Sequence, residues 1–108
     1  MRIAVAVDKK GEDARVADRF ARSPYLAIVS VEGGEVREIR FVDNPGKEAF
    51  GGAAVKTLQA LTEMGVDVVI GPGFGPNAVA MAEELGLKRI IVSPGTPLME
   101  AIRKAISK

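Results

Sequence analysis

Residues 65–92 read GVDVVIGPGFGPNAVAMAEELGLKRIIV. Residues 67–70 are apolar after Asp67, and so short a run predicts a strand buried on both faces. Residues 71–75 alternate glycine with proline or phenylalanine and predict a loop. Pro76 suits the first position of a helix, where its missing N–H costs nothing. The helix runs to about Leu85, with Ala78, Ala82 and Leu85 on its buried stripe and Gly86 at its end. Residues 89–92 predict another buried strand. Strand, helix and strand in this order form a crossover unit, which is right-handed and makes the two strands parallel.

Working outward, residues 53–64 carry apolar side chains at Ala54, Leu58 and Leu61, with Val55 widening the stripe. They predict a helix opened by Gly51-Gly52 and closed at Gly65. Residues 3–7 are continuously apolar and predict a first strand that belongs inside the sheet. Residues 25–31 and 36–42 predict two strands joined at Gly33-Gly34, a hairpin signal. In the second of these, Ile39 and Phe41 share a face with Arg37, and Glu38 and Arg40 lie opposite, so it reads as a half-exposed edge. At the other end, Thr96 is the expected N-cap and Pro97 the start of a last helix with Leu98, Ile102 and Ala105 inward. The simplest sheet is five-stranded and mixed, of order 3-2-1-4-5, with helices on both faces of an α/β domain spanning residues 1–108.

Cysteine and histidine are both absent. Without them there are no disulfides, thiolate nucleophiles, Ser-His-Asp triads or thiolate- and imidazole-held metals. Lysine plus arginine number 15 against 14 acidic residues, a net charge of +1. That balance speaks against a nucleic-acid-binding domain, which carries a large positive excess. Hydrophobic residues make up 47%, enough for a folded core. No run approaches the roughly 18–20 apolar residues of a membrane span. The N-terminal apolar run ends at Asp8 with no cleavage site, so it reads as a strand and not a signal peptide, and the expected location is cytoplasmic.

In open α/β sheets, ligands gather at the carboxyl ends of the parallel strands. Here those ends lead into residues 8–17, 71–76 and 93–96. The last two feed helix N-termini, whose free N–H groups and partial positive charge suit an anion. Gly73, Gly75 and Gly95 would let a ligand approach the backbone, although turn chemistry alone also accounts for them. Arg19 and Arg22 flank Phe20, and a guanidinium at this edge could clamp an anion. The remaining charges of residues 8–22 read as a solvated, self-paired loop. Met64, Met81 and Met99 read as core filling. The glycines of 71–75 do not make a dinucleotide fingerprint, because Pro76 stands where the third glycine belongs, and no P-loop follows any strand. A hairpin beside the first strand invites comparison with ribonuclease-H-like nucleases. Those hold two metal ions on converging carboxylates, and Asp8 alone does not; its plainer role is to cap the following loop.

Taken in order, Asp18-Arg19-Phe20-Ala21-Arg22-Ser23-Pro24-Tyr25, Gly51-Gly52-Ala53, residues 65–70 and Gly75-Pro76-Asn77-Ala78 resemble the dinitrogenase iron–molybdenum cofactor biosynthesis family, the NifX-like proteins and the C-terminal part of some NifB proteins. The resemblance covers roughly residues 1–106. It implies a three-layer ribonuclease-H-like fold without nuclease activity, and a non-catalytic carrier for a nitrogenase metal cofactor or its iron–sulfur precursor. Where the family often has His-Phe-Gly-Arg, this chain has Arg19-Phe20-Ala21-Arg22. An iron–sulfur or iron–molybdenum cluster, or a small oxyanion, would therefore be held without Cys or His ligands, in an outer sphere of Arg19, Arg22 and loop amides. The expected binding residues are Asp8, Arg19, Phe20, Arg22, Gly73, Gly75, Asn77, Gly95 and Thr96, with no catalytic residue and no protein ligand to a metal. The alternative is an interaction module with no small ligand, in which the edge strand 36–42 and a mobile loop 43–50 meet a protein partner.

Overall fold

The computed structural model describes residues 1–107. Its elements are β1 (Arg2–Val7), β2 (Tyr25–Glu32), β3 (Glu35–Asp43), α1 (Ala53–Glu63), β4 (Val68–Gly71), α2 (Pro76–Leu85), β5 (Lys88–Ile91) and α3 (Leu98–Ile106). The strands form one sheet of order β3-β2-β1-β4-β5. β1 is antiparallel to β2 and parallel to β4, and β4 is parallel to β5, as the crossover rule requires.

The period-2 alternation of each central strand divides the core in two. Ile3, Val5 and Val7 of β1, with Val29 of β2 and Ile70 of β4, face one side and meet Leu98, Ala101 and Ile102 of α3. Ala4 and Ala6, with Leu26, Ile28 and Val69, face the other and meet Leu58 and Leu61 of α1 and Ala78 and Ala82 of α2. The three layers follow from this, because neither face of β1 can be left to water. The two alanines of β1 leave room for two helices on their side. Leu58 and Leu61 are wholly buried and contribute about 2 kcal/mol each through the apolar surface they remove from water.

Several local details differ from the sequence reading. Gly33 and Gly34 both take positive φ (60° and 79°), the geometry of a two-residue hairpin that keeps the strand twist. A register shift between Ser30 and Val31 pairs Ser30 with Glu38 and Val31 with Val36, and leaves Arg37 as the extra residue. This bulge turns Val36 to the same apolar side as Ile39 and Phe41, whereas strict alternation would oppose them. Arg37 goes outward to Glu32 and Glu35.

β5 is an edge and not a buried strand. It pairs with β4 alone, and Ile91 is 68% exposed. Val55, Leu85 and Met99 are also exposed. On α1 the stripe widens instead toward Thr57, which turns inward to bond a loop. The cap of α3 is Pro97, with no side-chain hydrogen bond, because the Thr96 hydroxyl donates to the Ser93 carbonyl at 2.8 Å and closes the preceding turn. Among the described residues no helix is long and apolar enough to cross a membrane.

Candidate functional site

At the carboxyl end of the parallel strands a cleft of about 590 Å³ opens between residues 18–22, the β4–α2 loop with the first turn of α2, and Pro94 after β5. Its floor is aromatic. Phe20 is almost wholly buried, and its ring lies 4.8 Å from that of Phe74 at 56°, a favourable tilted pair. The floor can sit there because residue 71 is glycine: a Cβ on Gly71 would stand 3.1 Å from Phe20 Cβ. Pro72, Ala54 and Pro94 add apolar wall.

Beside it the lining is cationic. Arg22 donates from Nη1 to the Ala49 carbonyl at 3.0 Å, which fixes its direction. Arg19 is exposed and, among the described residues, forms no hydrogen bond or ion pair. α2 starts at the cleft with Gly75 as an N-cap that supplies no side-chain bond and Pro76 at the first position. The first-turn amides of Asn77 and Ala78 have no helical carbonyl to bond, and the helix dipole adds partial positive charge there. Asp18 is the one carboxylate among the lining residues; it too is exposed, with no partner among the described residues.

The cleft thus gathers Arg19, Phe20, Arg22, Gly73, Gly75 and Asn77. Asp8, Gly95 and Thr96 lie outside its lining. Asp8 Oδ1 accepts from the Arg15 amide at 2.9 Å, the loop cap. The Gly95 amide donates to the Val16 carbonyl, the Val16 amide donates to the Thr96 carbonyl, and the Leu98 amide donates to the Ala14 carbonyl. Residues 14–16 therefore occupy the start of α3 that an anion would need.

Phe74 and Ala54 escaped the sequence reading. An aromatic residue inside a Gly/Pro turn was the available signal for the first. For the second there was none, since Ala54 reads as helix stripe. In the loop after β3, Asn44, Gly46 and Ala49 are buried, while Pro45, Glu48 and Phe50 are exposed, Phe50 fully. Among the described residues no three acidic side chains gather where they could hold a metal ion.

Known proteins share this architecture. The apo form of the orange protein from Desulfovibrio gigas superposes with a TM-score of 0.87 at 25% identity, over 97% of this chain and 86% of that one. A candidate NifB protein from Thermotoga, placed in the DUF35 family, gives 0.74 at 34% identity over 94% and 83%. An uncharacterised protein of Methanocaldococcus jannaschii is 26% identical over 87 residues, 81% of this chain and 70% of its own length. The family model described as dinitrogenase iron-molybdenum cofactor matches residues 1–108. With the match running the length of the chain and the fold shared, the chain belongs to the dinitrogenase iron-molybdenum cofactor family.

Proposed function

We propose that this protein is a non-catalytic carrier that holds an anionic metal–sulfur cofactor, or a precursor of one, in the cleft between Arg19 and the N-terminus of α2. The observation that carries the reading is the composition of that one cleft, which brings together a guanidinium with no partner among the described residues, the open first-turn amides of α2, two phenylalanine rings and prolines. A volume of about 590 Å³ falls among small-molecule pockets, larger than one tetrahedral ion needs. A sulfide-coated cluster is bulky and weakly hydrated, so apolar walls cost it little. A small oxyanion would lose strong hydration against the same walls. With no Cys or His anywhere in the chain, the cargo's own ligands stay on the cargo, and capture is electrostatic and reversible. The family's association with iron–molybdenum cofactor biosynthesis agrees with such a cargo.

Tetrathiomolybdate and molybdate share shape and charge and differ in sulfur against oxygen. The carrier reading predicts that tetrathiomolybdate binds about tenfold or more tightly in calorimetric titration, one surface-hydration difference of about 1.4 kcal/mol. Equal affinity, or a preference for molybdate, moves the reading to an oxyanion site. No binding of either removes the carrier reading and leaves the interaction module, for which the exposed β3 edge and Phe50 are the available surfaces.

A further inference from the structure

The described chain buries only three polar side chains: Ser23, Asn44 and Thr57, none more than 1% exposed. All three meet in one place, directly behind the cationic wall of the cleft. Asn44 Nδ2 lies 3.1 Å from the Ala21 carbonyl, 3.4 Å from that of Phe20 and 3.1 Å from Ser23 Oγ. Its Oδ1 accepts from the Gly46 amide at 2.9 Å and from Thr57 Oγ1 at 2.8 Å. Thr57 Oγ1 also lies 3.2 Å from the Ala21 carbonyl and 3.0 Å from that of Ala53. The Ser23 hydroxyl donates onward to the Tyr25 carbonyl. Asn44 therefore has donors and acceptors on both sides in only one orientation of its amide.

Among the described residues the rest of the core is apolar. A buried network in which every group is satisfied fixes one arrangement of the backbone. What it fixes is a segment that needs fixing. Residues 18–23 belong to no helix or strand; the Phe20 carbonyl has one long backbone bond, from the Ser23 amide at 3.4 Å, and the Ala21 carbonyl is met by the Asn44 and Thr57 side chains. Those carbonyls set where Arg19 and Arg22 leave the backbone. The same Asn44 begins the turn that ends at Ala49, whose carbonyl receives Arg22. Both the origin and the tether of the Arg22 guanidinium thus depend on one amide.

We propose that Asn44, held by Thr57 and Ser23, is the positioning residue of the cleft, and that it pre-aligns the guanidinium groups of Arg19 and Arg22 for an anion. The inference rests on the carrier reading for its ligand but has a readout of its own. Asn44→Ala removes the whole network and confounds positioning with unfolding, so the informative pair is Thr57→Val, which deletes the hydroxyl at constant volume, and Thr57→Ser, which restores it. Tetrathiomolybdate should bind Thr57→Val about fivefold more weakly than wild type, the worth of one hydrogen bond, and Thr57→Ser within about twofold. In ¹⁵N relaxation of the ligand-free protein, the amides of residues 19–22 should become mobile in Thr57→Val and stay ordered in Thr57→Ser, with the Leu58 and Leu61 amides unchanged in both. Order retained at 19–22 in Thr57→Val overturns the inference whether or not any ligand binds. Equal affinity of Thr57→Val and wild type also overturns it. Failure of wild type itself to bind counts against the carrier reading, while the relaxation result still decides the positioning role.

Discussion

Gly46→Ala is expected to lower the stability of the folded protein by about 3 kcal/mol. The cause is space and not conformation, since Gly46 is absent from the positive-φ glycines. A Cβ there would stand 2.6 Å from the carbonyl oxygens of both Ala21 and Ala53, and nearer still to Thr57 Oγ1. Two of the three obstacles are backbone and cannot swing aside. Relief would have to come from moving the 44–46 turn away from α1, and that motion breaks the Gly46–Asn44 and Asn44–Thr57 bonds together. Each buried group left unpaired adds to the cost of the clash. For a domain of this size, about 3 kcal/mol appears as a fall of about 15 °C in Tm. Gly73→Ala is the matched control: nothing lies within 4 Å of its Cβ position, and its φ is not positive. Its Tm should move by no more than about 3 °C, the scatter of an ordinary surface change. A Gly46→Ala protein as stable as Gly73→Ala would mean that the turn is looser than the hydrogen bonds describe.

The second large effect is on binding. Arg19→Glu should weaken tetrathiomolybdate by about 100-fold, because it removes a charge-assisted contact and places a second carboxylate beside Asp18. Arg19 is the cleaner choice of the two arginines. It is exposed and has no partner among the described residues, so its loss should leave Tm within the range of a surface substitution. Arg22 also holds the Ala49 carbonyl, so a change there would mix loop loosening with lost charge. Calorimetric titration and a melting curve on the same preparation separate the two effects. An affinity unchanged within about threefold would take Arg19 out of the site.

How much of this was legible in the sequence depends on whether the information is periodic. The run from Gly65 to Val92 gives the crossover unit without ambiguity, because parallel buried strands appear as apolar blocks and the helix between them is bracketed by Pro76 and Gly86. The diglycine at 33–34 gives the hairpin in the same way. The bulge at Arg37 leaves only a slip in the alternation, with apolar residues at 36, 39 and 41, and a slip alone does not tell a bulge from a residue turned to the other face. Ile90-Ile91-Val92 reads as buried because an apolar run reports the side chains and not the number of neighbouring strands. β5 has one neighbour, and Ile91 is left in solvent.

The cleft shows the same division. Arg19, Arg22, Gly73 and Gly75 lie in loops, and Asn77 in the first turn of α2, whose place at the carboxyl ends of the strands follows from topology. The sequence could also suggest Asp8, Gly95 and Thr96, which sit on loops of the same edge. It could not show that residues 14–16 bind back onto the start of α3 and use the amides there. Asn44 and Thr57 are single polar residues, one in a turn and one in a helix, and neither has a periodic signature. Their meaning arises only when three segments distant in sequence meet.

The central claim is that an anionic sulfur-coordinated metal species binds between residues 18–22 and the start of α2. The most direct test is an amide-resolved NMR titration of the wild-type protein with tetrathiomolybdate. The account predicts saturable shifts confined to Arg19, Phe20, Ala21, Arg22, Gly73, Phe74, Gly75, Asn77 and Ala78, with Gly33 and Gly34 at the far hairpin unmoved. Shifts that cluster elsewhere, or that scatter over surface lysines without saturating, would contradict it.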